Sequence, residues 1–517
     1  MLLAIIAVLA FGFTRLYNLD LIPIFADEAI YIRWAQLMAY DWHHLFVPLT
    51  DGKTPLFMWL LVPLLRFNFD PLITGRVLSA AAGLGTVAGI YFLTKKLFEV
   101  KTARLAVGLA LFQPFLLFYD RLSLTDSLLT ALIVWAAYFA TGVGLGVFGA
   151  AALLVKPSAL SYLLLLPVLK LKAWRRHLTA GIITFTIYNL LRLSDSFYMI
   201  KQRSLDYLQG PTLQHWSSTI QVFGGWLLSY LGWPLIIIWL LALVIAAKFR
   251  EKKIGILSLF IILPFLFLAL VGKVVYPRYL LPIVPFILII VSWGLVRLPK
   301  QLLALSVGVI LAGWLKFDYY LLTDPVKAPL VRAEKEQFFY SWAAGYGLPE
   351  IRQYLLQLPG DKPVVVATEG SFGTLPNGLE IYFSGHPTVQ ILGVGFPSGG
   401  MSQGMDQALV DNKRLFLVAN YDRFTFPSSD RLKLVNEYPP VRLSTTVKFF
   451  SKNAGIINQA DNNKVKPESI SQRRQCFKLN RKYNPKNPKE NKAMTLCDKN
   501  IPVQVNAAKT VLRLPAA

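Results

Sequence analysis

The sequence predicts a polytopic α-helical membrane protein of about eleven transmembrane helices, with a small extracytoplasmic α/β domain near its C-terminal end. Three observations carry that prediction. The 517 residues are 55% hydrophobic and 16% charged, with mean hydropathy +0.48, too apolar for a soluble multidomain chain and too long for a simple anchor. Apolar residues come in long Leu/Ile/Val/Ala/Phe runs instead of the alternation of outer-membrane strands, so the spans are helices. Lys and Arg gather in alternate connections between these runs, as cytoplasmic loops require.

The runs fall at about 1 to 14, 72 to 93, 105 to 118, 127 to 141, 142 to 155, 157 to 169, 178 to 191, 222 to 247, 254 to 272, 279 to 296 and 301 to 316. Four basic clusters follow alternate runs: Lys95, Lys96, Lys101 and Arg104; Lys170, Lys172, Arg175 and Arg176; Lys248, Arg250, Lys252 and Lys253; Arg297 and Lys300. Placing these inside puts the Asp27/Glu28 loop, the Asp120 to Asp126 loop, the 192 to 221 loop, the Tyr276 to Tyr279 loop and everything after Lys316 outside. Residues 127 to 155 are short for two passes, since about 20 apolar residues normally span a bilayer. Counting them as one would move the Lys170 to Arg176 cluster outside, so two short helices are expected there. The first run lacks a basic start and a small-residue cleavage site, and Arg15 and Tyr17 resemble an interfacial stop, so it reads as a retained helix.

These features divide the chain into a transmembrane module over 1–317, an extracytoplasmic α/β domain over 318–445 and a basic, disordered tail over 446–517. The middle segment carries the short β-rich runs Pro363-Val-Val-Val-Ala, Thr388-Val-Gln-Ile-Leu and Arg414-Leu-Phe-Leu-Val between Gly/Pro turns, with a helix at Pro349 to Leu358. The tail is Lys/Asn-rich with weak periodicity. It accounts for much of the formal charge of +24: between Lys448 and Ala517, 15 Lys/Arg stand against 4 Asp/Glu, a difference of +11. A basic tail near anionic lipid explains this charge better than nucleic acid does. Cys476 and Cys497, the two cysteines, both lie in the tail and make neither a disulfide framework nor a zinc site.

Four polar clusters share the outer side of this map: Asp27/Glu28; Asp51-Gly-Lys53-Thr-Pro55; Asp120-Arg121 with Asp126; and Lys156-Pro157 with Tyr276-Pro-Arg278-Tyr279. Carboxylates beside a bilayer are costly to keep, which makes function a strong reason for their presence. Carboxylates and cations converging on one face suit transfer of a group from a phosphate leaving group to a hydroxyl. A carboxylate takes the hydroxyl proton, and fixed cations hold the charge that grows on the departing phosphate. Each residue also has a plainer reading. Asp27/Glu28 can cap the helix that follows, Lys53 can snorkel, Asp126 can be an N-cap, and Asp120/Arg121 can be a loop pair. Lys156-Pro157 can mark a kink, and Arg278 between tyrosines can anchor an aromatic belt. His43 and His44 are adjacent with no completing carboxylate spacing, so no metal site is expected. The glycines near Gly370 and Gly399 lack the strand–turn–helix context of a nucleotide site.

The order Asp27-Glu28, Lys53-Thr-Pro55, Arg121-Leu-Ser-Leu-Thr-Asp126 resembles the GT-C superfamily of integral-membrane glycosyltransferases, in the branch of protein O-mannosyltransferases and aminoarabinose transferases. The resemblance covers roughly residues 1 to 300. It implies a sugar donor carried on a polyprenyl phosphate and a hydroxyl acceptor on a protein, lipid or glycan. Asp27, with Glu28 beside it, then matches the catalytic base. Lys53 matches a phosphate-binding lysine, Arg278 a late-loop arginine aimed at the lipid phosphate, and Lys156 joins them as a third cation. Asp51, Asp120, Arg121, Asp126 and Tyr279 are assigned to substrate binding or to structure. The aminoarabinose branch has Glu directly before the motif lysine, where this chain has Gly52 and, one step earlier, Asp51. A divalent cation is a possible cofactor, since enzymes of this kind differ in whether one assists. The rival class is a transporter or a flippase for lipid-linked sugars. It fits less well, because the charges gather at loop ends and neither half of the chain resembles the other.

Overall fold

The computed structural model describes residues 2–67, 69–167, 172–206, 213–395, 401–420, 433–438 and 447–451. Contacts divide the chain into two units, one comprising Met1–Gly345 with Glu380–Tyr382, the other beginning at Tyr346. The first unit opens with α1 (Leu2–Leu16), α2 (Ala26–Tyr40), α3 (Leu56–Leu65), α4 (Pro71–Leu97), α5 (Val100–Leu111), α6 (Pro114–Asp120), α7 (Thr125–Phe139) and α8 (Gly142–Val155). It continues through α9 (Leu160–Leu163), α10 (Trp174–Asn189), α11 (Tyr198–Asp206), α12 (Leu213–Leu231), α13 (Trp233–Lys248), α14 (Lys252–Val271), α15 (Val284–Leu295), α16 (Lys300–Thr323) and α17 (Arg332–Lys335).

By length and composition, four described helical stretches can cross a membrane: Pro71–Leu97, Lys252–Leu270, Pro277–Leu295 and Lys300–Thr323. Two bent pairs raise that to six, and Ile5–Leu16, Leu56–Leu65, Thr125–Phe139 and Gly142–Val155 are shorter apolar helices. The stretch 127–155 forms two helices, α7 and α8, separated by left-handed Ala140 and Gly142. Two runs read from the sequence as continuous are broken. The run 105–118 bends by 61° between α5 and α6, and the run 222–247 bends by 107° between α12 and α13. At the second break Gly232 adopts φ +79°, where a side chain is disfavoured, and Pro234 follows at the start of α13.

A broken helix in an apolar setting leaves backbone groups that need partners. One glutamine serves both breaks. The Gln113 Oε1 accepts from Leu116 N–H at 2.8 Å, capping α6, while its Nε2 donates to the Tyr230 carbonyl at 3.3 Å near the end of α12. The Trp314 indole donates to the neighbouring Leu231 carbonyl at 3.1 Å.

The end of α4 and the start of α14 meet: Lys253 Nζ donates to the Leu97 carbonyl at 2.8 Å. A small cavity at this end is lined by Leu93, Lys96, Leu97, Ala137, Leu257 and Phe286.

The second unit holds α18 (Leu348–Leu356), α19 (Thr374–Phe383) and α20 (Gln403–Val410) around a five-stranded sheet. The strands are β1 (Val364–Thr368), β2 (Val389–Gly393), β3 (Arg414–Asn420), β4 (Lys433–Tyr438) and β5 (Val447–Ser451), in the order β2-β1-β3-β5-β4. β2, β1 and β3 run parallel, whereas β5 is antiparallel to both β3 and β4. Central β1 is buried throughout, which is why it reads as the unbroken run Val-Val-Val-Ala-Thr. Val365, Ala367, Leu415 and Leu417 pack on Met405 and Ala408 of α20. Phe416 and Phe449 stack on the opposite face with Tyr354 of α18 against both.

The division of the chain differs from 317/318 and 445/446 at both boundaries. α16 runs on to Thr323, and residues through Gly345 belong with the helical unit. β5 pairs in register with β3 beyond residue 446, its aromatic pattern hidden in a Lys/Asn-rich context. Most of the expected tail, with Cys476 and Cys497, lies outside the described residues.

Gly83 of α4 offers a test of the helix packing. A Cβ there would lie 2.3–2.5 Å from the Asp120 carboxyl atoms, and that carboxylate is fixed by Arg15 at 3.4 Å and Ser127 at 2.8 Å. Gly83→Ala is expected to destabilise the protein by about 1–3 kcal/mol, read as a lowered unfolding temperature in detergent. Gly108→Ala, where a Cβ meets nothing within 4 Å, is the control and should be neutral or stabilising. Equal unfolding temperatures for the wild type and Gly83→Ala would contradict this packing.

Candidate active site

The site begins with the way α2 is started. Glu28, in the first turn of α2, turns back to accept the Phe25 N–H at 3.0 Å. Its two oxygens also take a forked pair of bonds from Arg76 of α4, Nε at 2.9 Å and Nη2 at 2.8 Å, and one accepts the Ser123 N–H at 2.7 Å. Both side chains are fully enclosed. Arg76 further donates to the carbonyls of Leu19, Ile22 and Pro23, and Arg121 donates to those of Thr14, Tyr17 and Asn18. Two buried guanidinium groups thus tie down the turn between α1 and α2. Backbone carbonyls are what hold such charges away from water.

Asp27 comes next to this anchor and carries the opposite environment. Its Oδ1 accepts from Lys53 Nζ at 3.1 Å and its Oδ2 from Arg278 Nη2 at 3.0 Å. Burial alone would raise this carboxyl, but Lys53 and Arg278 outweigh it and hold it at about 2. The folded protein therefore binds fewer protons here than the unfolded chain. The ion pairs contribute stability above the ordinary carboxylate range and lose it as pH falls toward 2. α2 is not among the candidate spans and carries Asp27, Glu28 and Arg33.

Lys53 is presented by a tight turn. A 3-10 segment over Val47–Asp51 ends in Gly52 at φ +68°, where a Cβ would lie 2.4 Å from the Arg203 side chain. The ammonium of Lys53 sits 5.0 Å from the Tyr31 ring and 5.6 Å from that of Trp34, and 3.4 Å from Asp51 Oδ2. Asp51 in turn pairs with Arg203 at 2.6 Å. Burial, then the Asp27 charge, pushes the Tyr31 hydroxyl above its ordinary value.

Arg278 is held in the 3-10 segment Pro277–Ile283, with its guanidinium 4.9 Å from the Tyr276 ring and 5.6 Å from that of Phe25. Only Nη2 is engaged, by Asp27. Nε and Nη1 are buried without hydrogen-bond partners among the described residues. Lys156 pairs with Asp126 at 2.7 Å, lies 4.6 Å from the Tyr279 ring and is within electrostatic reach of Asp27 and Arg278. Four cations, Lys53, Lys156, Arg203 and Arg278, thus surround three carboxylates, Asp27, Asp51 and Asp126.

The sequence-derived residues separate into two groups. Asp27, Asp51, Lys53, Asp126, Lys156, Arg278 and Tyr279 form one connected cluster. Glu28, assigned beside Asp27 as a catalytic carboxylate, is instead saturated by four donor contacts and positions α2. Asp120 and Arg121 belong to the helix packing: Asp120 bonds Arg15 and Ser127, and Arg121 ends α1. His43 and His44 both lean on Asp41, at 2.7 and 3.6 Å, and among the described residues no three His, Cys, Asp or Glu side chains gather to hold a metal. Gly370 forms a turn bonded to Gly395, and Gly399 lies outside the described residues. Arg76, Arg203 and Glu334 were not singled out from the sequence. Arg76 alone carried a signal, as a charge inside an apolar run that demanded a partner.

No protein-family model matches the chain, and no curated protein matches it by sequence. Solved structures do match. ArnT from Cupriavidus metallidurans bound to undecaprenyl phosphate aligns with TM-score 0.57 at 15% identity, covering 88% of this chain and 98% of that one. The apo state of the same protein aligns with TM-score 0.57 at 13% identity, covering 87% and 97%. The chain has the GT-C fold. At these identities the likeness is one of fold. Within the GT-C fold, the roles of individual side chains rest on the geometry just described.

Removing the Glu28 carboxylate separates anchoring from chemistry. Glu28→Ala leaves Arg76 buried with an unmatched charge and should cost about 3–5 kcal/mol, seen as early unfolding in detergent. Asp27→Asn should shift unfolding far less, because Asp27 and Lys53 are partly open to solvent and no charge is left fully enclosed. The reverse order would overturn the division of labour between the two carboxylates.

Proposed function

We propose that the protein is a glycosyltransferase that moves a hexosyl or pentosyl group from a polyprenyl-phosphate carrier to a hydroxyl acceptor at the outer face of the membrane. The single observation that carries this reading is Asp27 gripped by Lys53 and Arg278 while two further Arg278 donors lie buried and unpartnered. Buried donors of this kind are costly unless an acceptor meets them. A phosphate oxygen is such an acceptor, and a guanidinium matches it in two directions. Support at the level of fold comes from ArnT, whose crystal structure holds undecaprenyl phosphate.

In this mechanism the donor phosphate enters against Arg278 and Lys53, with Lys156 adding charge from the Asp126 side. The two cations exchange the Asp27 oxygens for phosphate oxygens. Freed of them, Asp27 loses the influence that depresses its proton affinity and becomes a better base. The acceptor hydroxyl attacks the sugar carbon bonded to the phosphate oxygen and gives its proton to Asp27. The carbon–oxygen bond to phosphate breaks, and the electron pair passes to the phosphate oxygen, where Arg278 and Lys53 hold the charge. Tyr31 and Trp34 confine the Lys53 ammonium to the place where this exchange occurs.

The test is transfer from polyprenyl-phosphate sugars in membranes containing equal amounts of inserted wild type and variants. Asp27→Asn is expected to reduce turnover by about 10²- to 10⁴-fold. Arg278→Ala and Lys53→Ala should each raise the donor concentration needed by roughly 10- to 100-fold, the worth of one charge-assisted contact. Unchanged transfer by Asp27→Asn would remove the base. Movement of intact donor across proteoliposomes, without transfer, would instead favour the flippase reading.

A further inference from the structure

Glu334 is a buried acid that the reaction just described does not use. It lies on α17, after the last span, and is fully enclosed. The segment that carries it is laced to the start of α2: Ala26 N–H donates to the Ala343 carbonyl at 3.0 Å, and Gly345 N–H donates to that of Ile24 at 2.8 Å. Phe338, on the same segment, packs against Phe25 with ring centres 4.6 Å apart, and Phe25 lies beneath the Arg278 guanidinium. Glu334 is therefore brought to the Arg278 side of the cluster by fixed backbone contacts.

Its two oxygens are in different situations. Tyr119 Oη of α6 donates to Oε1, whereas Oε2 is buried without a partner among the described residues. Arg278, within electrostatic reach, has Nε and Nη1 in the same condition. The titratable and charged groups facing Glu334 are Tyr119 from α6, Asp126 from α7, Tyr230 from α12 and Arg278 from the 277–283 segment. Burial pushes the Glu334 carboxyl up to about 7, with Asp126 adding in the same direction and Tyr119 and Arg278 opposing. A buried carboxyl that keeps its proton is a hydrogen-bond donor as well as an acceptor. With Oε1 already accepting from Tyr119, the O–H is placed on Oε2.

We propose that Glu334 is a third ligand of the donor phosphate, its Oε2–H donating to an oxygen of the phosphate group that Arg278 also binds. The inference rests on the glycosyltransferase reading and deepens it. Neutral Glu334 adds a donor to the leaving group without adding repulsion, and the hydrogen bond strengthens as the phosphate gains charge. Ionised Glu334 would place a second anion against the phosphate. Binding of the carrier phosphate should therefore weaken above neutral pH, opposite to the gain otherwise expected as undecaprenyl phosphate, a phosphate monoester, takes its second charge near pH 6.

The experiment measures binding of undecaprenyl phosphate to the full chain purified in detergent, between about pH 6 and about pH 8.5, for wild type, Glu334→Gln and Glu334→Ala. Gln keeps an acceptor for Tyr119 and a donor for the phosphate but cannot ionise. Wild-type affinity should fall about tenfold per pH unit above 7. Glu334→Gln should match the wild type near pH 6 and stay within about twofold across the range. Glu334→Ala, provided its unfolding temperature is retained, should bind weakly at every pH. Wild-type binding that does not weaken with pH, or a Glu334→Gln profile that follows the wild type, overturns the role of Glu334 and leaves the glycosyltransferase reading standing. Failure of the wild type to bind at any pH overturns both.

Discussion

The forked ion pair between Glu28 and Arg76 is the constraint on which the rest of the site depends. It joins the first turn of α2 to the second turn of α4, and through Ser123 to the loop before α7. Arg76 also collects the carbonyls of the turn leading into α2. A charge pair this deep contributes little net stability for its cost of desolvation, but breaking it is severe. Its value is in geometry. With Glu28 locked inward, the adjacent helical position turns Asp27 toward Lys53 and Arg278, so one Asp-Glu dipeptide supplies an anchor and a reactive group.

The second theme is competition for the same cations. At rest Lys53 and Arg278 neutralise Asp27 and deepen its acidity to about 2. A carboxylate so strongly held is a poor proton acceptor, which protects the site from idle chemistry. In the proposed mechanism an anionic headgroup that takes those cations both binds and activates, so the same side chains couple recognition to catalysis. Arg203, through Asp51, and Asp126, through Lys156, keep the neighbouring charges balanced while this exchange occurs.

Much of this was legible in the sequence where a residue's cost exposed its purpose. Asp27, Lys53 and Arg278 stand at the ends of apolar runs, where charge is expensive, and the basic clusters gave a topology that placed them together. The two short helices at 127–155 followed from the same charge rule. The dipeptide could not be divided between its roles, because the partner of Glu28 lies 48 residues away inside an apolar run. Asp120 and Arg121 stayed open between substrate binding and structure for a related reason. A charge pair in a loop and a charge pair tying helix ends look alike until Arg15 and the α1 carbonyls are in view. The helix breaks near Gln113 and Gly232 depend on side chains from distant helices satisfying the freed backbone. Glu334 lay beyond the assumed domain boundary, in a segment whose attachment to α2 is made by backbone hydrogen bonds that carry no sequence signature.

The central claim is that side chains from separate segments, Asp27, Lys53 and Arg278, close around a single anionic carrier. Mass spectrometry of lipid retained by the purified protein tests it most directly, comparing wild type with an Arg278→Ala/Lys53→Ala double variant of equal unfolding temperature. A polyprenyl phosphate retained by the wild type and absent from the double variant is the result expected. Equal retention by both proteins would contradict the account.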